Sequence, residues 1–593
     1  MNHTKNIFNS IKELWEYIGK RKKIQFGLLV VLMILSALAE ILSIGAVVPF
    51  LNALTSPKYF FELSSAKPLL QILNITKSEE LLLSLTLLFG VAVLFATILR
   101  LTLLWASGKL CFSVGASLSF DIYRRTLYQP YHVHIVRSSN EIINGISNKT
   151  NIVIYNIILP VVTLISSVLM LAIIMLVLIY INPLIALISF GGLGFLYFLI
   201  IKYTRKRLFI ASHIIAKNSS IIIKSLQEGL GGIRDVLIDG TQEFYSSVYK
   251  RADSSLRRAQ ANSFFIGQGP RFLTEGLGML IISGLAYAFT KQSHQSINFV
   301  ATLGAIALGA QRLIPILQQA YSSLSYIQTG YLSLVDILEL LNQPLPSYIL
   351  NSKLKKMQFK ENISLNSIWF RYDKESAWII ENLNLKIKKG SCIGIIGSTG
   401  CGKSTFLDII MGLLNPSKGE LQIDGIPITS SNYRAWQAHI AHVPQTVFLS
   451  DGCISENIAF GVDEEKINHE LVKSCASQAQ LAEMIDALPK KYNTPVGERG
   501  IRLSGGQRQR IGIARALYKQ ADVLIFDEAT SALDNKTEDY IMNSIDKISK
   551  NFTILIIAHR LSTLKNCDQI IRMSEGKIKE VGTYARIIGQ KYE

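Results

Sequence analysis

Residues Gly397-Ser398-Thr399-Gly400-Cys401-Gly402-Lys403-Ser404-Thr405 have the composition of a loop that holds phosphate. Small side chains leave the backbone N–H groups bare, Lys403 can reach the outer phosphates, and Ser404 supplies a hydroxyl suited to magnesium. Farther along, Leu503-Ser504-Gly505-Gly506-Gln507 precedes the run Val523-Leu524-Ile525-Phe526-Asp527-Glu528. Asp527 is a candidate magnesium ligand, and Glu528 beside it is suited to polarise a water that attacks the terminal phosphate. His559 ends a third apolar run and is set to contact the same phosphate. Glu528, His559 and Lys403 are therefore the catalytic candidates.

These residues need strands and a helix to aim them. Ser391–Ile396 reads as an apolar strand feeding the glycine loop, and Thr405–Leu414 opens a helix, so the phosphates would meet a helix N-terminus. Ala521–Phe526 and Thr553–Ala558 read as further buried strands ending at Asp527 and His559. From about residue 350 onward the chain has the alternation of an α/β domain.

The first half of the chain is different. Long apolar runs occur near residues 25–53, 81–106, 153–181, 184–203, 263–290 and 296–327, each about the length that crosses a bilayer as a helix. The first is too long for a signal peptide and has no small-residue cleavage site. Lys20-Arg21-Lys22-Lys23, Arg124-Arg125 and Arg205-Lys206-Arg207 lie at the ends of apolar runs, which puts those loops and both termini in the cytoplasm. Two connections, about 107–152 and 204–262, read as helices that leave the bilayer and return. Pro130-Tyr131-His132 and Gly240-Thr241-Gln242-Glu243-Phe244 are candidate tips that touch a cytosolic domain.

Charge inside the spans is costly, roughly 2.5–3.5 kcal/mol at a helix centre. Glu40, Arg100, Arg271, Glu275 and Arg312 nevertheless occur there. Arg271 and Glu275 share a helix face four residues apart. Structural ion pairing and substrate binding both account for such charges. The net charge of +18, from 61 Lys and Arg against 43 Asp and Glu, is explained by basic loops rather than by a nucleic-acid partner. The six cysteines are scattered, without a CxxC pair, as reduced thiols of a cytosolic domain would be.

The combined motifs resemble those of an ATP-binding cassette exporter across nearly the whole chain. The resemblance implies an α-helical domain of six transmembrane spans followed by an α/β P-loop cassette, with ATP and Mg2+ as cofactors. It also implies further roles: Tyr372 stacking on adenine, Gln445 joining Ser404 and Asp527 as magnesium ligands, and Ser504, Gly505, Gly506 and Gln507 touching the partner's ATP. Ser531-Ala532-Leu533-Asp534 resembles the loop that crosses between cassettes. The expected boundaries are 1–330 for the membrane domain, 331–355 for a linker and 356–593 for the cassette. A homodimer in a bacterial inner membrane is expected, with the cassettes cytoplasmic.

A finer similarity concerns cargo. Glu40 with Pro49-Phe50-Leu51, Pro270-Arg271 with Glu275, and Arg312-Leu313-Ile314-Pro315 resemble the pattern of flippases for lipid-linked oligosaccharides and of envelope-polysaccharide exporters. That similarity implies an anionic glycolipid bound by Arg100, Arg271 and Arg312, alongside contacts with membrane lipids. Export of peptide, lipid or drug-like cargo is the alternative, and an ATP-gated channel a more distant one.

Overall fold

The computed structural model describes residues 7–55, 78–181, 183–292, 299–346, 357–529, 536–542, 552–558 and 560–589. The chain divides into two compact units: residues 1–129 with 137–344, and residues 130–136 with 345–593.

The first unit is helical. A short amphipathic helix, α1 (Ile7–Tyr17), precedes α2 (Lys20–Thr55), α3 (Ser78–Leu127), α4 (Leu159–Ile181), α5 (Pro183–Gly231), α6 (Gln242–Gln292) and α7 (Phe299–Leu341). Among the described residues, three helical segments, Lys20–Ser43, Leu83–Leu127 and Ser139–Leu176, are long and apolar enough to cross a membrane. At 1.5 Å per residue the 50 residues of α3 extend about 75 Å, far more than the roughly 30 Å of a bilayer core. The helices thus run on into the polar connections, in line with the helical reading of those connections. α7 likewise continues to Leu341, so the first part of the stretch read as a linker is helix.

Before α4 the chain makes two π-helical turns, Gly145–Lys149 and Ile154–Ile158. The first packs closely on α7: a Cβ on Gly145 would meet Leu340 Cδ1 at 2.5 Å. Lys149 Nζ pairs with Asp336 at 2.6 Å across the same contact.

α6 contains Pro270, which has no N–H to give the carbonyl four residues back. α7 repairs the break from outside. The Tyr321 hydroxyl donates to the Ile266 carbonyl at 2.9 Å, and the Gln318 amide donates to the Gly267 carbonyl at 2.8 Å. Tyr197 of α5 donates to the Gln318 amide oxygen at 3.1 Å. All three polar side chains are buried, so this network joins α5, α6 and α7 through the gap the proline leaves.

The second unit is an α/β domain with two sheets. One has the order β2-β1-β4-β5 and is antiparallel, from β1 (Asn362–Phe370), β2 (Ile380–Lys388), β4 (Lys418–Ile423) and β5 (Ile426–Pro427). The other has the order β10-β9-β3-β8-β7-β6. Its strands β3 (Cys392–Gly397), β6 (Ile440–Val443), β7 (Val523–Asp527), β8 (Thr553–Ile557) and β9 (Gln569–Ser574) are parallel, and β10 (Lys577–Gly582) closes an edge antiparallel to β9. Leu524 and Phe526 face one hydrophobic cluster while Val523 and Ile525 face the other. The sheet is therefore covered on both sides, which is why its strands read as continuous apolar runs. Trp436, fully buried, closes the second cluster and donates its indole N–H to the Ile410 carbonyl at 2.8 Å.

Candidate functional site

In a parallel sheet the ligand-facing edge is the carboxyl end of the strands. The phosphate loop follows β3, Asp527 ends β7 with Glu528 next, and Gln445 lies two residues beyond β6. Three motifs scattered along the chain converge because the order β3-β8-β7-β6 places those strand ends at one edge of the sheet.

The loop from Gly397 to Gly402 leads into α8 (Lys403–Ile410). Gly400 and Gly402 have φ of +80° and +97°, the left-handed region glycine adopts without cost. A Cβ on Gly397 would meet the Met573 carbonyl at 2.4 Å, so the loop can pass β9 only with glycine there. Ser398, Thr399 and Gly400 are exposed, Cys401 is buried, and Thr405 is buried in the first turn of α8. Ser404 lies exposed at the N-terminus of α8, where unpaired backbone N–H groups favour an anion. Lys403 Nζ donates to the carbonyls of Gly397 and Ser398 at 2.8 and 3.0 Å, folding the ammonium back over the loop.

Three carboxylates gather here. Asp527 is held above the usual carboxylate range by burial and by Glu528, with Lys403 opposing. Asp408, one turn along α8, is pushed up to about 6 by burial and by the charge of Asp527. Glu528 has φ of +51°, strained for a side chain with a Cβ, and its N–H donates to the Ile557 carbonyl at 3.0 Å. The Gln445 amide donates to Glu528 Oε2 at 2.6 Å. This contact fixes the carboxylate and leaves the Gln445 amide oxygen as a ligand atom. A divalent cation fits the set. Asp527 is half-buried beside a second carboxylate, which raises its attraction for positive charge, and Ser404 and Gln445 add neutral oxygens of the kind hard cations take.

Ser504 caps α9 (Gly505–Tyr518): its hydroxyl accepts from the Gln507 N–H at 3.2 Å while the Gln507 side chain accepts from the Ser504 N–H at 2.8 Å. Gly505 and Gly506 form the first turn, whose free N–H groups make a second anion-favouring helix end. Tyr372 is 42% exposed and packs edge-on against Phe370 with ring centroids 5.1 Å apart. An aromatic face half open to solvent is what a stacking base requires. His559 and Ser531–Asp534 lie outside the described residues, as does the Arg312 side chain.

One feature was not anticipated from sequence. Asp408 carried no motif. The short helix Tyr131–Val136 groups with this second unit, and burial with the nearby Asp408 and Tyr372 pushes the Tyr131 phenol upward. That places the first expected tip near the adenine-stacking candidate, whereas 240–244 groups with the helical unit.

In the helical unit, Arg100 pairs with the buried Glu40 at 2.7 Å, a pairing the sequence left open. Arg271 Nε donates to Glu275 at 2.7 Å along one face of α6, as the spacing of four predicts, and stays half-exposed.

Residues 380–531 match the family model described as ABC transporter. The chain is 31% identical over 391 residues to the heterocyst differentiation ATP-binding protein HepA of Nostoc sp., covering 66% of this chain and 63% of that one. It is 33% identical over 404 residues to an ATP-dependent lipid A-core flippase of Saccharophagus degradans, covering 67% and 66%. The matched stretch thus spans a little under two thirds of each relative's length. A solved bacterial Atm1-family ABC exporter with ATP bound superposes with a TM-score of 0.77 over 96% of both chains at 20% identity. Residues 380–531 thus form an ABC transporter domain, and the chain has the fold of an ABC exporter.

Proposed function

We propose that this chain is one half of an ATP-driven exporter or flippase of a bacterial inner membrane, working as a homodimer with both cassettes in the cytoplasm. The observation that carries the reading is the convergence of the phosphate loop, Asp527, and the Gln445–Glu528 contact at one edge of a parallel sheet, in a chain whose other unit holds membrane-length helices. Gly397 to Thr405 bind the phosphates, Tyr372 stacks on the base, and Ser404, Gln445 and Asp527 hold magnesium. Bound magnesium neutralises phosphate oxygens. Glu528, oriented by Gln445, takes the proton of the attacking water, Lys403 stabilises charge on the outer phosphates, and His559 contacts the terminal one. Ser504, Gly505, Gly506 and Gln507 complete the site on the second copy, so two ATP molecules would close two cassettes together.

The cargo reading rests on Arg271. Its guanidinium is half-exposed and oriented by Glu275, and a guanidinium binds phosphate bidentately without losing its charge. Arg312 is the second expected contact. Arg100 supports the reading less, because Glu40 already neutralises it. The fitting cargo is an oligosaccharide or glycolipid on a diphosphate lipid. The test is ATPase activity of the reconstituted protein with and without a diphosphate-linked oligosaccharide lipid. In Arg271→Ala, stimulation by that lipid should fall tenfold or so, the worth of one charge-assisted contact, while basal activity persists. Undiminished stimulation would rule out this cargo site.

A further inference from the structure

Between α1, the start of α2, the second π-turn and the first turns of α4 lies a groove of about 300 Å³. Its walls are apolar, among them Leu14, Met33, Ile158 and Val162, and at its mouth are Trp15 and Lys23. The Lys23 ammonium sits 5.8 Å above the Trp15 ring, and that ring packs on Phe26 at 5.3 Å. The neighbouring Lys22 is engaged elsewhere: it donates to the Ser113 carbonyl at 2.5 Å and to the Ser117 hydroxyl on α3. Lys20 and Arg21 are exposed.

We infer that this groove binds one acyl chain of an anionic phospholipid, with the lipid phosphate at Lys23. The inference rests on the reading that α2 crosses the bilayer with its basic end at the cytoplasmic interface. Three observations select the occupant. The walls offer no polar partner to a peptide backbone, which would need one for every buried N–H and C=O. At about 30 Å³ for a group the size of a water molecule, the volume takes on the order of ten methylenes. An aromatic ring and a cation side by side at the mouth are the arrangement that meets a lipid headgroup. Exposed Lys20 and Arg21 add positive charge that a zwitterionic headgroup would not match.

Gly27 makes the groove testable. It lines the space, and a Cβ built on it meets nothing within 4 Å, so a larger side chain would enter the groove without displacing backbone. Replacing a helical glycine also favours the helix, so the variant should fold. The full chain would be placed in phosphatidylcholine nanodiscs doped with brominated phosphatidylglycerol or brominated phosphatidylcholine, in a Trp105→Phe background. The Trp15 signal is the difference from the same protein with Trp15→Phe.

Brominated phosphatidylglycerol should quench Trp15 roughly fivefold more effectively than brominated phosphatidylcholine, the worth of one basic contact to an anionic lipid. Lys23→Gln should remove that preference, and Gly27→Leu should lower quenching by either lipid. Equal quenching by both lipids in the parent would overturn the anionic-lipid site, as would a preference that survives Gly27→Leu unchanged. Absence of quenching by any brominated lipid would overturn the membrane placement itself, a separate result.

Discussion

The phosphate edge of the cassette and the charged interior of the helical unit both hold ionised side chains, but they partner them differently. In the cassette, Lys403 rests on two backbone carbonyls of its own loop, at 2.8 and 3.0 Å. Such partners are neutral, and phosphate oxygens can replace them at little electrostatic cost. In the helical unit, Glu40 is buried against Arg100 at 2.7 Å, charge against charge on two different helices. Dissolving that pair leaves an ion in a low-dielectric setting, so it behaves as part of the scaffold. Arg271 falls between: its partner is a carboxylate, yet the pair is half-exposed and lies along one helix. The kind of partner, more than the presence of charge, separates groups held ready for a ligand from groups that hold the fold.

The largest expected effect breaks the cassette side. Glu528→Gln should lower steady-state ATP turnover by a factor of about 10²–10⁴, the usual worth of a general base, while ATP binding persists. Lys403→Ala should instead weaken ATP binding itself. Filter binding of labelled ATP beside a phosphate-release assay separates the two. Near-normal turnover in Glu528→Gln would remove Glu528 from the base role and leave its strained backbone without a purpose.

One ring nitrogen in the cassette has neither kind of partner among the described residues. His442 lies on β6, its Nε2 has no hydrogen-bond partner among the described residues, and burial lowers its pKa to about 4 from 6.5. The folded state therefore binds this proton less readily than the unfolded one. The stability contributed is fully present above pH 6.5 and is lost as pH falls from 6.5 toward 4. The full shift corresponds to about 3 kcal/mol as an upper bound. Thermal unfolding of the cassette should show this acid slope, and His442→Gln should flatten it. An unchanged slope would assign the acid sensitivity to other groups.

The Glu40–Arg100 pair tests the opposite kind. Glu40→Gln should destabilise the detergent-solubilised protein by about 1–2 kcal/mol. That is below the 3–5 kcal/mol of a fully buried pair, because Arg100 stays partly exposed. A double-mutant cycle with Arg100→Gln should recover most of the loss. Additive losses would mean that the two charges act separately and would return Arg100 to the cargo candidates.

The cassette was largely legible in sequence because its chemistry is local. Glycines at Gly400 and Gly402, the lysine after them and the apolar strand before them are adjacent residues, and the backbone conformation each needs is written in its type. Strand limits came within a residue or two. The Gln445–Glu528 hydrogen bond was not legible, since it joins residues 83 positions apart and exists only through the strand order. Asp408 was missed for a similar reason: its shift arises from burial and from Asp527, neither of which leaves a mark at position 408. In the helical unit, the 271–275 pair followed from helix spacing, whereas Glu40 with Arg100 depended on which helices pack together. The π-turns left no signal at all in the apolar pattern.

The smallest expected effect concerns Pro270. A proline inside a long helix leaves the carbonyl four residues back without its donor, and in α6 that carbonyl belongs to Ile266. Tyr321 supplies the missing donor from α7 at 2.9 Å. Tyr321→Phe keeps the ring, so its packing against Tyr197 at 5.5 Å persists and only the hydroxyl is lost. The cost should be about 1 kcal/mol, a single hydrogen bond to a buried carbonyl, read as a fall of a few degrees at most in the melting temperature. Pro270→Ala should reduce that cost, because the restored Ala N–H would satisfy Ile266 from within the helix. If Tyr321→Phe costs the same with proline or alanine at position 270, the hydroxyl does not act as the helix's missing donor. The network would then be ordinary interhelical packing, and the contrast between provisional and permanent partners would stop at the charged groups.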